Sequence, residues 1–208
     1  MTAINTPAST DNRLRVAVLV SGRGSNLRAL LAATDNSDYP AEIVYVAANR
    51  DAPALEYARL RDIPSGVFPR DGYSSRAERD GAIADSLHLH GAELVICAGY
   101  DSILSPAFIE RFEGRIVNLH PSLLPAFAGS MDAIRLALEA GVEETGCTVH
   151  LVTNEVDAGP ILAQSRVGVL PGDTLELLAA RIHAAEHRLL PEIVRRLALQ
   201  RVAAPAIP

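Results

Sequence analysis

Apolar residues come along this chain in two rhythms. The runs Arg15-Val-Ala-Val-Leu-Val20, Glu42-Ile-Val-Tyr-Val-Ala-Ala48 and Glu93-Leu-Val-Ile-Cys-Ala98 have strand length and no polar alternation. Such runs are expected of strands buried on both faces of a parallel sheet. Between and after them lie segments with helical spacing: 27–33, 53–61 with Pro53 at an early position, and a helix that the capping pattern Ser75-Arg-Ala-Glu78 opens and that ends near His90. Val67-Phe68 makes a short third strand, and Ser105-Pro106 caps and starts the next helix. Ile116-Val117 is a β-branched strand, and the prolines after it cannot prolong it. Asp132 to Ala140 is helical and Gly141 stops it; Thr148–Val152 and Ile161–Val169 are strands. Asp173-Thr174 caps a long helix reaching about Leu199, with a bend expected near Pro191.

This alternation predicts an α/β fold: one Rossmann-like, doubly wound, mostly parallel sheet flanked by helices, spanning residues 13–199. The tails, 1–12 and the Ala/Pro-rich 202–208, are expected to be flexible. Ligands of such sheets bind beyond the carboxyl ends of the strands. The loops at 21–26, 99–104 and 118–125 should therefore open on one edge.

Composition removes several classes. All 19 basic residues are Arg, so a Schiff-base or P-loop lysine is excluded. The net charge of −6 with no basic block argues against a nucleic-acid or membrane-surface partner. No run reaches the length of a membrane span, and the polar start lacks an apolar signal core, so a cytoplasmic protein is expected. Cys97 and Cys147 lie in apolar segments without metal or disulfide spacing and read as buried thiols.

Two segments carry candidate chemistry. Ser21-Gly-Arg-Gly-Ser-Asn26 follows a strand and opens a helix, a geometry that aims backbone N–H groups at an anion. It lacks the third glycine of a dinucleotide fingerprint and fits a lone phosphate, with Ser25 and Asn26 adding side-chain donors; a plain βα turn with Ser or Asn as cap fits as well. In Asn118-Leu-His-Pro-Ser-Leu-Leu-Pro125, Asn118 and His120 stand two apart at a strand exit, which suits carbonyl chemistry and equally a hydrogen-bonded loop Asn beside a structural His. His88 and His90 do not share a helix face and read as surface residues. His183-Ala-Ala-Glu186-His187 matches a zinc-peptidase pattern, in a five-residue form that also arises by chance.

Taken together, the Ser21–Asn26 loop, Ala98-Gly-Tyr100, Ile103-Leu-Ser-Pro106, Asn118–Pro125 and Glu155-Val-Asp-Ala-Gly-Pro160 resemble the phosphoribosylglycinamide formyltransferases of purine synthesis, from about Arg15 to Arg196. The resemblance implies direct transfer of a formyl group from 10-formyltetrahydrofolate, as co-substrate, to the amine of glycinamide ribonucleotide, with no metal, by a monomer or homodimer. It implies Asn118 as oxyanion donor, His120 as the acid and Asp157 as the group raising the His120 pKa. It further implies Gly24, Ser25, Asn26, His183 and Glu186 as phosphate and ribose contacts. The folate contacts would be Arg76, Asp101, Ser102, Ile103, Leu104, Asn118, Thr153, Asn154, Glu155, Val156 and Asp157. Asp101-Ser102 departs from a frequent Met-Arg, a common His near Ala133 or Ile134 is missing, and His183 stands where Gln is frequent. A 10-formyltetrahydrofolate hydrolase and a non-catalytic phosphosugar-binding domain are the alternatives.

Overall fold

Seven strands line up in the order β3-β2-β1-β4-β5-β6-β7 in the computed structural model, which describes residues 12–203. They are β1 (Leu14–Val20), β2 (Ala41–Ala48), β3 (Ser65–Val67), β4 (Leu94–Cys97), β5 (Ile116–His120), β6 (Glu144–Leu151) and β7 (Ile161–Gly168). The helices are α1 (Ser25–Thr34), α2 (Ala54–Arg59), α3 (Arg76–Leu89), α4 (Pro106–Arg111), α5 (Ala133–Glu139) and α6 (Leu175–Ala203). Strands β1 to β5 pair in parallel; β6 and β7 add antiparallel at one edge. The expected doubly wound, mostly parallel sheet is present.

The unbroken apolar runs have a simple cause. Val16, Val18 and Val20 of β1 pack with Leu27, Leu30 and Leu31 of α1 and Ile182 and Leu190 of α6. Ala17 and Leu19 point the other way, onto Ile83 and Leu87 of α3 and Phe108 of α4. Both faces of the strand are core, so neither parity can be polar. Ser105 caps α4 as expected, with Pro106 in its first turn. Ser75 accepts from the Glu78 N–H, but the Glu78 carboxylate reaches Ser74 N (2.8 Å), so the capping box closes one residue earlier than its pattern suggests.

Several expectations shift. β5 extends through His120, so Asn118 and His120 belong to the strand itself. β3 begins at Ser65 and β6 at Glu144, each earlier than the local pattern shows, because partner strands supply the ladder that Ser, Gly and Thr do not advertise. Helix α6 continues to Ala203, into the stretch expected as a tail; residues 1–11 and 204–208 lie outside the described residues. Pro191 sits inside α6, where its carbonyl accepts a hydrogen bond from the Tyr39 hydroxyl at 2.6 Å. His88 is exposed, but His90 is half-buried at the α3 C-cap with its ring 4.5 Å from that of Tyr45, so it is not a plain surface residue. Among the described residues, no helix is long and apolar enough to cross a membrane. Both thiols are free and buried, and burial pushes each up to about 12, which removes them as nucleophiles.

Candidate active site

The carboxyl ends of β1, β4 and β5 open into a cleft of about 480 Å³. The three loops expected on this edge meet there: Ser21 N donates to Gly99 O (3.1 Å), and the Asp101 N–H donates to Ser21 Oγ (3.0 Å). Asn118, His120, Asp157, Asn26, His183 and Glu186 all line the cleft. So do Asp101 to Leu104 on one wall and Thr153 to Val156 on another.

Side-chain chemistry concentrates on the floor. His120 Nδ1 stands 3.3 Å from Asp157 Oδ2, and His120 Nε2 stands 3.2 Å from Phe127 O. Asn118 Nδ2 lies 3.1 Å from His150 Nε2 and 3.4 Å from Asp157 Oδ1. The Gly129 N–H donates to Asp157 Oδ2 (2.9 Å). Asp157 adopts φ 53°, a left-handed conformation that Asp tolerates better than most residues, and so turns its carboxylate back toward β5. Its carboxyl is held below the ordinary carboxylate range, first by the His150 imidazole and then by Gly129 N–H and the charge of His120, against burial.

Asp157 acts on His120 in the expected direction, and burial opposes it. Burial of the ring is the larger effect and lowers its pKa below the ordinary 6.5.

His150 was missed as a site residue. It is buried on β6, and the antiparallel β5–β6 register puts it directly opposite Asn118, as it puts Thr148 opposite His120. Its Nδ1 lies 2.9 Å from Leu151 O, so the Nδ1 proton goes there. Its Nε2 then faces the Asn118 amide at 3.1 Å, with Asp157 Oδ1 3.5 Å away. Locally it was only a histidine alternating with apolar neighbours.

The Ser21–Asn26 loop leads from β1 into α1. Gly24 caps α1 at φ 73°, and a Cβ there would stand 2.5 Å from Ala54 Cβ. No side chain caps this helix, and the N–H groups of Ser25, Asn26 and Leu27 have no protein partner among the described residues. That leaves the helix start open to an anion. The Asn26 side chain, however, is turned to α6, donating to Glu186 Oε2 at 3.0 Å, so it is not a free phosphate donor here. Gly24 and Ser25 adjoin the cleft without lining it.

On α6, His183 Nδ1 lies 2.9 Å from the same Glu186 oxygen, which raises the His183 pKa. The His183 and His187 rings stack 6.4 Å apart. Among the described residues, no three His, Cys, Asp or Glu are placed to hold a metal, so the zinc-peptidase pattern does not form a zinc site. Arg76 is exposed at the first residue of α3 and does not line the cleft; the α3 arginine that reaches its wall is Arg79, one turn on.

Residues 14–194 match the family model described as formyl transferase. The chain belongs to this family. It is 42% identical over 182 residues to the phosphoribosylglycinamide formyltransferase of Haemophilus influenzae, covering 87% of this chain and 85% of that one. It is 46% identical over 197 residues to the trifunctional purine biosynthetic protein adenosine-3 of Gallus gallus, covering 94% of this chain but only 19% of that longer protein. The structure of glycinamide ribonucleotide transformylase 1 from Symbiobacterium toebii superposes with a TM-score of 0.88 at 44% identity, covering 91% of this chain and 90% of that one.

Proposed function

We propose that this chain transfers the formyl group of 10-formyltetrahydrofolate to the amine of glycinamide ribonucleotide. The observation that carries the reading is the convergence of Asn118, His120 and Asp157 on a cleft floor, with an uncapped helix start beside it. The uncapped N-terminus of α1 suits the substrate phosphate. Glu186, buried and already bridging Asn26 and His183, suits a ribose hydroxyl donor. The backbone N–H and C=O groups of Ile103 and Leu104 have no hydrogen-bond partner among the described residues. They can read the donor and acceptor edge of a pterin, with Ile103, Met131 and Val156 as an exposed apolar rim for the rest of the folate.

The amine nitrogen attacks the formyl carbon, giving an oxyanion and a positively charged nitrogen. One Asn118 N–H is anchored by His150; the other, held only by the 3.4 Å contact to Asp157, is free to move to the oxyanion. Such a donor is worth roughly 3–4 kcal/mol in comparable sites. Neutral His120 takes the proton that the attacking nitrogen sheds, with Asp157 stabilising the imidazolium. It then passes that proton to N10 of the folate as the C–N10 bond breaks. General acid–base catalysis of this kind contributes about 10²–10⁴ in rate.

The deciding experiment supplies 10-formyltetrahydrofolate with and without glycinamide ribonucleotide. Tetrahydrofolate released only when the amine is present supports the transfer; equal release of formate without it means a hydrolase. His120→Ala and Asp157→Asn should each nearly abolish turnover while leaving the circular-dichroism spectrum unchanged, and full activity in either would remove that residue from the mechanism.

A further inference from the structure

The wall of the cleft formed by Gly99–Leu104 has no regular secondary structure, yet it is fastened from behind by a continuous polar chain. Asn49, buried at the exit of β2, donates through its single Nδ2 to Asp101 Oδ1 (2.7 Å) and Ser102 Oγ (3.2 Å). Its neighbour Arg50 pairs with the other Asp101 oxygen. Arg79, 3% exposed, is paired with the fully buried Asp80 at 2.9 Å, and its Nη1 stands 3.5 Å from Ser102 Oγ. Asp80 in turn accepts the Ser105 N–H at 2.6 Å, closing the chain on the far end of the same loop. The Asp101 N–H, bonded to Ser21 Oγ, ties the near end to β1.

The consequence is a division of labour within the loop. The side chains of Asp101 and Ser102 are held by groups behind the wall, whereas the backbone groups of Ile103 and Leu104 remain without protein partners. A ligand read by those backbone groups meets a surface whose shape is already set, so little ordering cost is left to the binding step. Neither Asn49 nor Arg79 lines the cleft.

We propose that Asn49 and Arg79 are positioning residues for the formyl-donor subsite, acting through Asp101 and Ser102 to preset the backbone of the 101–104 wall. This rests on the transfer reading above and adds which residues set donor affinity. Asn49 bonds to Asp101 and Ser102, Arg50 to Asp101, and Arg79 to Asp80 and Ser102; none of these three side chains reaches the Asn118–His120–Asp157 floor by a direct hydrogen bond.

Steady-state kinetics on the full chain test it. Asn49→Leu, which keeps the branching and removes the amide, and Arg79→Met should each raise the KM for 10-formyltetrahydrofolate about tenfold, on the order expected for losing one or two hydrogen bonds. The KM for glycinamide ribonucleotide and kcat should stay within about twofold, as for any loss of donor binding alone. Arg79→Lys should recover part of the loss. In an Asp101→Ala background, Asn49→Leu should add little, because the partner through which it acts is gone. Arg50→Met, at an exposed position, gives a smaller rise in the same KM and serves if Asn49→Leu does not fold. Equal changes in both KM values, a fall in kcat alone, or additive effects in the double variant would overturn the proposal. Absence of any transfer by the unaltered chain would instead count against the transferase reading itself.

Discussion

The His120 ring has an acceptor at each nitrogen, Asp157 Oδ2 and Phe127 O, which two protons would satisfy, yet burial holds its pKa below 6.5. A lowered imidazole pKa means the neutral ring persists from high pH down through 6.5, and protonation comes only at lower pH. If neutral His120 accepts the amine proton, kcat/KM should be flat near pH 7 and fall on an acid limb whose midpoint lies below 6.5. A pH–rate profile that instead falls as pH rises through this range would show that the imidazolium is the working form. At Gly24 the constraint is steric. Gly24→Ala should raise the KM for glycinamide ribonucleotide at least about tenfold, since its Cβ would meet Ala54 backbone and side chain at the helix start, and a φ of 73° disfavours any L side chain. An unchanged KM would mean that the phosphate binds elsewhere.

Among the elements, α6 and the 153–160 turn carry the most leverage. Helix α6 packs Leu178, Ile182 and Leu190 into the core shared with β1 and α1, and it presents Glu186 to the cleft. Tyr39 ties its interior by donating to Pro191 O. Tyr39→Phe should therefore lower unfolding free energy by roughly 1 kcal/mol in urea titration without altering kinetics, the usual net worth of one hydrogen bond. The turn after β6 is pinned by Gly159, where an added Cβ would stand 1.8 Å from Leu151 O. Gly159→Ala must displace this turn and with it Asp157, so activity should fall by at least about 10² even in molecules that remain folded, the scale of a misplaced catalytic group. Normal turnover there would show that Asp157 need not be held so closely.

At the scale of the whole molecule, binding and stability are linked, because the cleft joins loops from opposite ends of the chain. Saturating glycinamide ribonucleotide to about 100 times its Kd should add roughly 2.7 kcal/mol to unfolding free energy, readable as a shifted urea midpoint. No shift would mean that the phosphosugar does not bind the native chain. Much of this architecture was legible in the residues alone. Unbroken apolar runs, helical spacing and the caps at Ser75 and Ser105 are local, short-range effects, and they determined the βα alternation and hence the edge on which Ser21–Asn26, Gly99–Leu104 and Asn118–Pro125 open. The motif residues Asn118, His120 and Asp157 were likewise readable as candidates. What only the tertiary structure decided depends on pairing and burial between distant segments. The antiparallel register of β6 on β5 brings His150 opposite Asn118, α6 claims the Asn26 amide through Glu186, and Arg79 rather than Arg76 reaches the wall. Burial, which no window of sequence measures, lowers the His120 pKa despite its carboxylate neighbour.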